Sequence, residues 1–331
     1  MTPDPSDPTV SPVPEQPSTD IPPAKDTVEQ VLSDAEQLFN GLADSAKQTV
    51  EAVNKRAGRD IFLATGVAII LLLTVGACLL WFHWGIVIIA AAAIPGAQVE
   101  VGRALAKNHG GTIVYPPLIA GSALFIVGAY VSRAYPSWFS SSALLWIIGL
   151  TVIVILLWRL TGPIQGYVAD VTSTIFLLGY PCLLFSALVF LLARPQGAAL
   201  IATFVVGIAA SDTGGYFMGV LFGKHPMSPR ISPKKSWEGV VGSFLLSGIL
   251  VILMVVFVVQ GAWWKGLILA VLLVVCGILG DLVESVIKRD LGVKDLGTLV
   301  PGHGGIMDRL DSYILAAVPA WLTMAWLFPY A

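Results

Sequence analysis

Long apolar runs separated by short polar segments dominate the chain after residue 60. Residues 61–82 hold no charged side chain over 22 positions, enough for a helix that crosses a bilayer. Further apolar runs follow at 86–105, 113–132, 143–158, 173–193, 198–221, 240–260, 265–283 and 313–330. The second run is interrupted by Pro95, Gln98 and Glu100, and the 143–158 run is short. The pattern predicts an all-α, polytopic integral membrane protein with about nine transmembrane helices.

The first 60 residues follow a different pattern. Residues 1–25 are rich in Pro, Ser, Thr and Asp, which predicts a disordered polar tail. Within residues 26–60, apolar side chains recur at steps of three and four, as in an amphipathic helix. Such a helix lies on a membrane, binds a partner or packs on the protein itself, and the sequence leaves these options open. We assign residues 61–331 to one membrane-embedded domain.

Composition and the placement of positive charge support this interpretation. The chain is 56% hydrophobic and 12% charged, whereas soluble proteins carry about a quarter charged residues. If the N-terminus is cytoplasmic, fourteen of the 19 lysines and arginines fall on cytoplasmic segments and two in the tail. The other three, Arg133, Arg194 and Lys265, fall on the opposite side. This bias predicts a cytoplasmic N-terminus and cytoplasmic loops at 222–239 and 284–312.

Two polar stretches lie between residues 211 and 239. In SDTGGYFMGVLFGKH, Asp212 falls within an apolar run, where an ionised carboxylate costs at least ~2.5 kcal/mol and normally faces a polar cavity or a partner. In SPRISPKKSWEG, Ser232 and Pro233 predict a helix N-cap and first turn, which places Lys234 and Lys235 at a helix N-terminus. Two cations there are unfavourable unless an anion binds, which favours a phosphate site. The simpler alternative for the Asp212 stretch is a helix-packing face. For the stretch with the two lysines, it is an ordinary positively charged loop.

A third stretch, GDLVESVIKRDLGVKD, follows the eighth apolar run. If that helix continues, Asp281, Ser285 and Lys288 fall at i, i+4 and i+7 and line one face. A carboxylate for a hard metal ion, a hydroxyl and an ammonium suit a metal-bound polyphosphate. The alternative is an ordinary helix end whose cations neutralise the helix dipole, but that alternative does not explain Asp281.

The fourth stretch is VPGHGGIMDRLD, at 300–311. Gly304 and Gly305 allow a tight turn whose backbone N–H groups point at an anion. Asp308 offers a second hard-oxygen ligand, and Arg309 is suited to bidentate contact with phosphate. For His303, a ligand contact and a hydrogen-bonded loop position are equally open.

Two further acids remain near these stretches. We interpret Asp311 as a supporting or surface acid. Glu100 either marks the same cavity or pairs locally with Arg103, and we favour the local pair.

Two aspartates and several cations on one membrane face indicate a Mg²⁺-bound nucleotide or polyphosphate. The sequence holds no Walker loop, GxGxxG, HExxH, GxSxG or CxxC motif, so zinc hydrolysis, serine acyl transfer and redox chemistry lack support. Phosphoryl-type transfer needs positioning and charge neutralisation more than covalent help. A phosphomonoester, with a second pKa near ~6, is a nucleophile that requires no strong general base.

These residues resemble the signature of a known family, the phosphatidate cytidylyltransferases (CDP-diacylglycerol synthases). The resemblance covers 27 residues with fixed gaps, and the stretches SDTGGYFMGVLFGKH and SPKKSWEG also resemble the family's pattern. Val300 departs from it, since Leu, Ile or Phe is usual there, and Thr is common at the position of Ser236. Residues 61–199 match only in being apolar. The signature residues are Ser285-Val-Ile-Lys288-Arg289, Lys294-Asp295, Gly297, Pro301, His303-Gly304-Gly305 and Asp308-Arg309-Leu310-Asp311.

The resemblance implies that phosphatidate and CTP react in the membrane to give CDP-diacylglycerol and pyrophosphate, in phospholipid biosynthesis. Asp281 and Asp308 would hold Mg²⁺, with K⁺ beside it as an option, and Lys288 and Ser285 would act as catalytic phosphate contacts. A homodimer is suggested, and no nucleic-acid partner is expected. The implied substrate-binding residues are Asp212, Lys234, Lys235, Ser236, Arg289, Lys294, His303, Gly304, Gly305 and Arg309.

Other functions predict different patterns. A membrane transferase for another lipid, such as an isoprenoid-glycerol phosphate or a polyprenol, would share the polar residues and differ in its lipid-facing segments. A transporter or channel would spread its polar residues along several spans, whereas here they cluster at one face. A scaffold function would not explain Asp281 and Asp308.

Overall fold

Helices make up most of the chain that the computed structural model describes, which is residues 70, 73–137, 139–140, 142–297 and 304–329. Residues 73–81 are helical. The helices that follow are α1 (His83–His109), α2 (Tyr115–Ala134), α3 (Ala143–Arg159), α4 (Tyr167–Leu177), α5 (Leu184–Leu192), α6 (Gly197–Phe222), α7 (Trp237–Phe257), α8 (Trp263–Asp290) and α9 (Met307–Leu327). A π-helical segment, Leu178–Leu183, joins α4 to α5, and two short antiparallel strands, β1 (Pro226–Ser228) and β2 (Ser232–Ser236), join α6 to α7.

The described helices confirm a multi-pass membrane protein. Seven helical segments are long and apolar enough to span a bilayer, and α3 is a shorter apolar helix of 17 residues. They correspond in order to the predicted runs from 86–105 onward. Most of the first run, together with the predicted tail at 1–25 and extension at 26–60, lies outside the described residues. The count of nine transmembrane helices therefore stays a prediction. The β1–β2 hairpin is a small departure from the predicted all-α fold.

The interrupted second run is a single helix, α1, which continues through Pro95. Its polar side chains point into the protein. Gln98 is fully buried, and its Nε2 donates to Ser122 Oγ at 2.7 Å and to the Leu177 carbonyl oxygen at 3.0 Å. The Gln98 amide N–H groups thus have acceptors on neighbouring helices, which makes this polar side chain compatible with a continuous span.

One face of α7 is suited to lipid. Val241, Leu245, Ile249 and Leu253 recur every four residues and are all exposed. Positions four apart lie on the same side of a helix, so these side chains form one apolar stripe. A stripe of this length on a soluble protein would be unusual, whereas it is expected where a helix faces the bilayer.

The opposite face of α7 packs closely on α6 through glycines. A Cβ atom at Gly242 would collide with the carbonyl oxygen of Gly214 and with the Met218 side chain. The short distance lets Ser243 Oγ donate to the Ser211 carbonyl oxygen at 2.7 Å. Close backbone approach through small residues is the usual way in which membrane helices associate.

We expect Gly242→Val to destabilise the protein by about 1–3 kcal/mol, because overpacking forces the two helices apart. Gly248→Val is the matched control, since Gly248 lies on the same helix and its Cβ would meet nothing within 4 Å. The measurement is apparent Tm in detergent. Equal Tm values for the two variants would contradict the assigned α6–α7 contact.

Two of the cations predicted to lie on the outer side meet at one end of the bundle. Lys265 Nζ donates to the Leu327 carbonyl oxygen at 2.6 Å, and Arg194 Nη2 donates to the Phe328 carbonyl oxygen at 2.7 Å. Both therefore cap the C-terminal end of α9, where positive charge is favourable. Because α9 begins at the other end of the bundle, the predicted site residues lie away from these cations.

Candidate active site

Polar side chains from α1, α6, α8, α9 and the hairpin gather at the end of the bundle where α9 begins. Lys235 of β2 contacts Asp281 of α8, and Lys288 of α8 contacts Asp308 of α9. The two polar segments predicted at 222–239 and 284–312 therefore share one end of the protein.

The hairpin corrects the prediction that Lys234 and Lys235 begin a helix. Residues 232–236 form a strand, and α7 begins only at Trp237, with Ser236 as its N-cap. The Ser236 hydroxyl accepts from the Gly239 backbone N–H at 3.1 Å. Adjacent strand residues point to opposite faces, which is why Lys234 is exposed while Lys235 faces α8.

Asp281 lies on the face of α8 that the spacing predicted. Its Oδ2 is 2.5 Å from Lys235 Nζ, and its Oδ1 accepts from Ser285 Oγ at 3.4 Å. The Asp281 side chain remains 35% exposed. It can therefore reach a ligand that enters from this end of the bundle.

Lys288 is held between two carboxylates. Its Nζ lies 2.5 Å from Glu284 Oε2 and 2.8 Å from Asp308 Oδ1. Glu284, whose side chain is 1% exposed, was not among the residues predicted from the sequence. Its position four residues before Lys288 was the available signal, since Glu and Lys at this spacing pair on a helix.

Asp308 is fixed by backbone donors as well as by Lys288. Gly305 N donates to its Oδ2 at 2.9 Å and Leu296 N donates to its Oδ1 at 3.3 Å. Gly304 has φ of 84°, so the predicted tight turn is present. The Gly305 N–H, however, points at the Asp308 carboxylate and not at open space, because that carboxylate closes the turn that leads into α9.

Two further aspartates, Asp212 and Asp311, interact electrostatically with Asp281. A Cβ at Gly280 would lie 2.6 Å from the Asp311 carbonyl oxygen, so α8 and α9 cross closely beside Asp281. Asp311 is partly buried and interacts electrostatically with Asp281 and Asp212. Of the two interpretations of Asp311, a supporting acid agrees with this burial and a surface acid does not. The expectation that Asp212 faces a polar region agrees with its electrostatic interaction with Asp311.

The remaining predicted residues lie around this centre at different depths. Arg289 Nε donates to the Ile231 carbonyl oxygen of the hairpin at 3.4 Å. Arg309, in the first turn of α9, is exposed and interacts electrostatically with Asp212. Lys294 is exposed on the segment after α8. His303 lies outside the described residues, so its role stays a prediction.

Glu100 does not form the local pair with Arg103 that the sequence favoured. Its side chain is buried, and its Oε2 accepts from the Met307 backbone N–H at 3.0 Å. The other interpretation, that this acid marks the same polar region, agrees with the structure. Its position inside an apolar run was the signal that pointed there.

The donor set suits a hard divalent cation. Within the described ranges, no group of three or more His, Cys, Asp or Glu side chains is arranged to hold a metal ion. Mg²⁺ is usually bound by one or two carboxylates together with water and substrate phosphates, so a complete protein cage is not required. Asp281 and Asp308 each have a lysine ammonium as counterion, which shows that positive charge is favourable beside both.

The fold and the site together define a multi-pass membrane protein with a carboxylate and lysine cluster at one end. A family model described as "Cytidylyltransferase family" matches residues 63–327. This chain therefore belongs to the cytidylyltransferase family.

Several curated relatives carry the name phosphatidate cytidylyltransferase. The protein from Mycobacterium bovis is 40% identical over 295 residues, which is 85% of this chain and 94% of the relative. The protein from Mycobacterium leprae is 38% identical over 290 residues, or 83% of this chain and 90% of the relative. The protein from Haemophilus influenzae is 43% identical over 129 residues, covering 38% of this chain and 44% of the relative.

Proposed function

We propose that this protein is a phosphatidate cytidylyltransferase, which converts CTP and phosphatidate into CDP-diacylglycerol and pyrophosphate. The observation that carries the proposal is a set of two ion pairs, Lys235 with Asp281 and Lys288 with Asp308, at one end of a membrane bundle. Relatives of that name that align over most of this chain support it. A site at this end of the bundle would be open both to a water-soluble nucleotide and to a membrane lipid.

In this reaction a phosphate oxygen of phosphatidate attacks the α-phosphorus of CTP. The bond between the α-phosphorus and the oxygen that bridges it to the β-phosphorus breaks, and pyrophosphate leaves. The lipid phosphate is largely dianionic at neutral pH, so no residue has to remove a proton from it. Asp281 and Asp308 would hold Mg²⁺, which when bound supplies charge neutralisation for the triphosphate. Ser285 and Lys288 would orient phosphate oxygens from the α8 face.

The lysines have two tasks in this proposal. Lys235 and Lys288 neutralise Asp281 and Asp308 in the structure described above. When a cation and phosphates enter, both ammonium groups would turn to phosphate oxygens, so the total charge stays balanced. Arg289, Arg309, Lys234 and Lys294 would add positive charge around the entrance, and the glycine turn at Gly304 and Gly305 would hold the first turn of α9.

The orientation of the site is also part of the proposal. The fourteen-to-three distribution of Lys and Arg favours a cytoplasmic N-terminus and a site that faces the cytoplasm, where CTP is made. We assign the protein to the plasma membrane. We further propose a homodimer and, beside Mg²⁺, a K⁺ ion, both on the resemblance to the family.

A purified-protein assay tests the substrate assignment. We expect pyrophosphate release and a CDP-linked lipid with CTP and phosphatidate, and little turnover with ATP, GTP or UTP. The lipid panel contains phosphatidate, an isoprenoid-glycerol phosphate and a polyprenol. Faster turnover with either of the other lipids, or transfer of only the γ-phosphate, would contradict the proposal and indicate a related transferase or a kinase.

A further inference from the structure

Glu100 belongs to the part of the chain that the signature does not cover, yet it contacts the signature segment directly. It lies on α1, 207 positions before Met307, and its side chain is 3% exposed. The carboxylate Oε2 accepts from the backbone N–H of Met307, the first residue of α9. A buried acid at membrane depth is costly, so its retention at this point needs a specific reason.

The beginning of α9 lacks a cap of its own. Its N-cap residue is Ile306, whose side chain makes no capping hydrogen bond. Helix N-termini present free N–H groups and a partial positive charge, so a carboxylate is the favoured partner there. Glu100 therefore supplies from another helix the cap that the local sequence does not provide.

Two glycines of the signature lie directly against this carboxylate. A Cβ at Gly297 would collide with Glu100 Cδ and Oε1, and a Cβ at Gly305 would lie 2.6 Å from Glu100 Oε2. The second oxygen, Oε1, has no hydrogen-bond partner among the described residues. The absence of side chains at Gly297 and Gly305 is thus explained by Glu100, and an anion-binding turn is not needed to account for it.

We propose that Glu100 is a positioning residue that fixes the start of α9 and, through it, the Asp308 carboxylate. The connection is short: Glu100 packs on Gly305, and Gly305 N donates to Asp308, which in turn binds Lys288. Loss of the Glu100 carboxylate would free the turn before α9 and let Asp308 move from its place beside Lys288. This inference rests on the proposed function, because it assigns Asp308 to the metal and phosphate site.

The test compares Glu100→Ala and Glu100→Gln with wild type and with Gln98→Ala in purified full-length protein. Gln98 is the matched control because it is a buried polar residue of the same helix whose contacts go to Ser122 and Leu177. We measure amide hydrogen exchange at residues 304–310, Mn²⁺ affinity, and the Mg²⁺ concentration that gives half-maximal transfer.

We expect Glu100→Ala to accelerate exchange at 304–310 and to weaken Mn²⁺ binding and Mg²⁺ activation by about 10- to 100-fold, as is typical when a group that orients a metal ligand is removed. Glu100→Gln keeps an acceptor for the Met307 N–H, so it should recover most of the exchange protection. Gln98→Ala should lower Tm without changing exchange at 304–310 or cation affinity.

Two results would overturn the inference: wild-type exchange and Mn²⁺ affinity in Glu100→Ala, or equal changes in Gln98→Ala. Failure of the proposed function would be recognised by a different result. If wild-type protein transfers no cytidylyl group from CTP to phosphatidate, the proposed function fails, while exchange and Mn²⁺ binding still decide whether Glu100 positions Asp308.

Discussion

Asp281→Asn and Asp308→Asn will each lower cytidylyl transfer by roughly a thousandfold or more while leaving a folded membrane protein. Each change removes one negative charge from the place where we propose the metal binds, and metal coordination supplies several kcal/mol of charge stabilisation in such reactions. Asn has nearly the same shape as Asp, so packing around either position is preserved. The measurement is kcat with CTP and phosphatidate, with size-exclusion profiles as the test of folding.

Asp290→Asn is the matched control for this pair. Asp290 is exposed at the end of α8, close in sequence to the site residues, and it has no assigned role in the site. We expect near wild-type transfer from this variant. Normal turnover by Asp281→Asn or Asp308→Asn would remove that residue from the proposed metal site.

Lys288→Met will affect both stability and activity. The Lys288 ammonium is the counterion of Glu284 and Asp308, whose side chains are 1% and 6% exposed. Removing one member of a buried charge group typically costs about 3–5 kcal/mol, because the remaining charge stays buried without compensation. We therefore expect a large drop in apparent Tm, together with loss of transfer, since the proposed phosphate contact is gone.

The double variant Lys288→Met/Glu284→Gln separates these two effects. It removes a buried carboxylate along with the cation, so the apparent Tm should recover toward wild type. Transfer should remain absent, because Lys288 is also assigned a contact with substrate phosphate. A double variant as unstable as Lys288→Met would contradict the assigned charge group. A double variant that regains transfer would contradict the catalytic role of Lys288.

The helices were predictable because bilayer crossing imposes long apolar runs, and α6, α8 and α9 lie close to the runs at 198–221, 265–283 and 313–330. The β1–β2 hairpin was not predictable from the sequence. Ser232-Pro233 has the composition of a helix start, but Ser236 is an equally good cap four residues later, and strand pairing across Pro226–Ser236 decides between them. Local preference could not resolve this choice, because it depends on the chain that lies opposite.

The site was predictable where one helix carries it. Asp281, Ser285 and Lys288 follow from helical spacing alone, and their shared face is confirmed. Contacts between distant helices were not predictable, because spacing along the chain holds no information about them. Glu100 reaches Met307 across the fold, and Asp311 approaches Asp281 only because Gly280 lets two helices cross.

The most direct test of the account is Mn²⁺ binding, followed by electron paramagnetic resonance in the presence of saturating CTP. If Asp281 and Asp308 share one cation, wild-type protein binds a single Mn²⁺ between them, and Asp281→Asn, Asp308→Asn and the double variant all lose that site to the same extent. Two Mn²⁺ sites of which each single variant loses only one, or wild-type affinity in either variant, would contradict the shared cation.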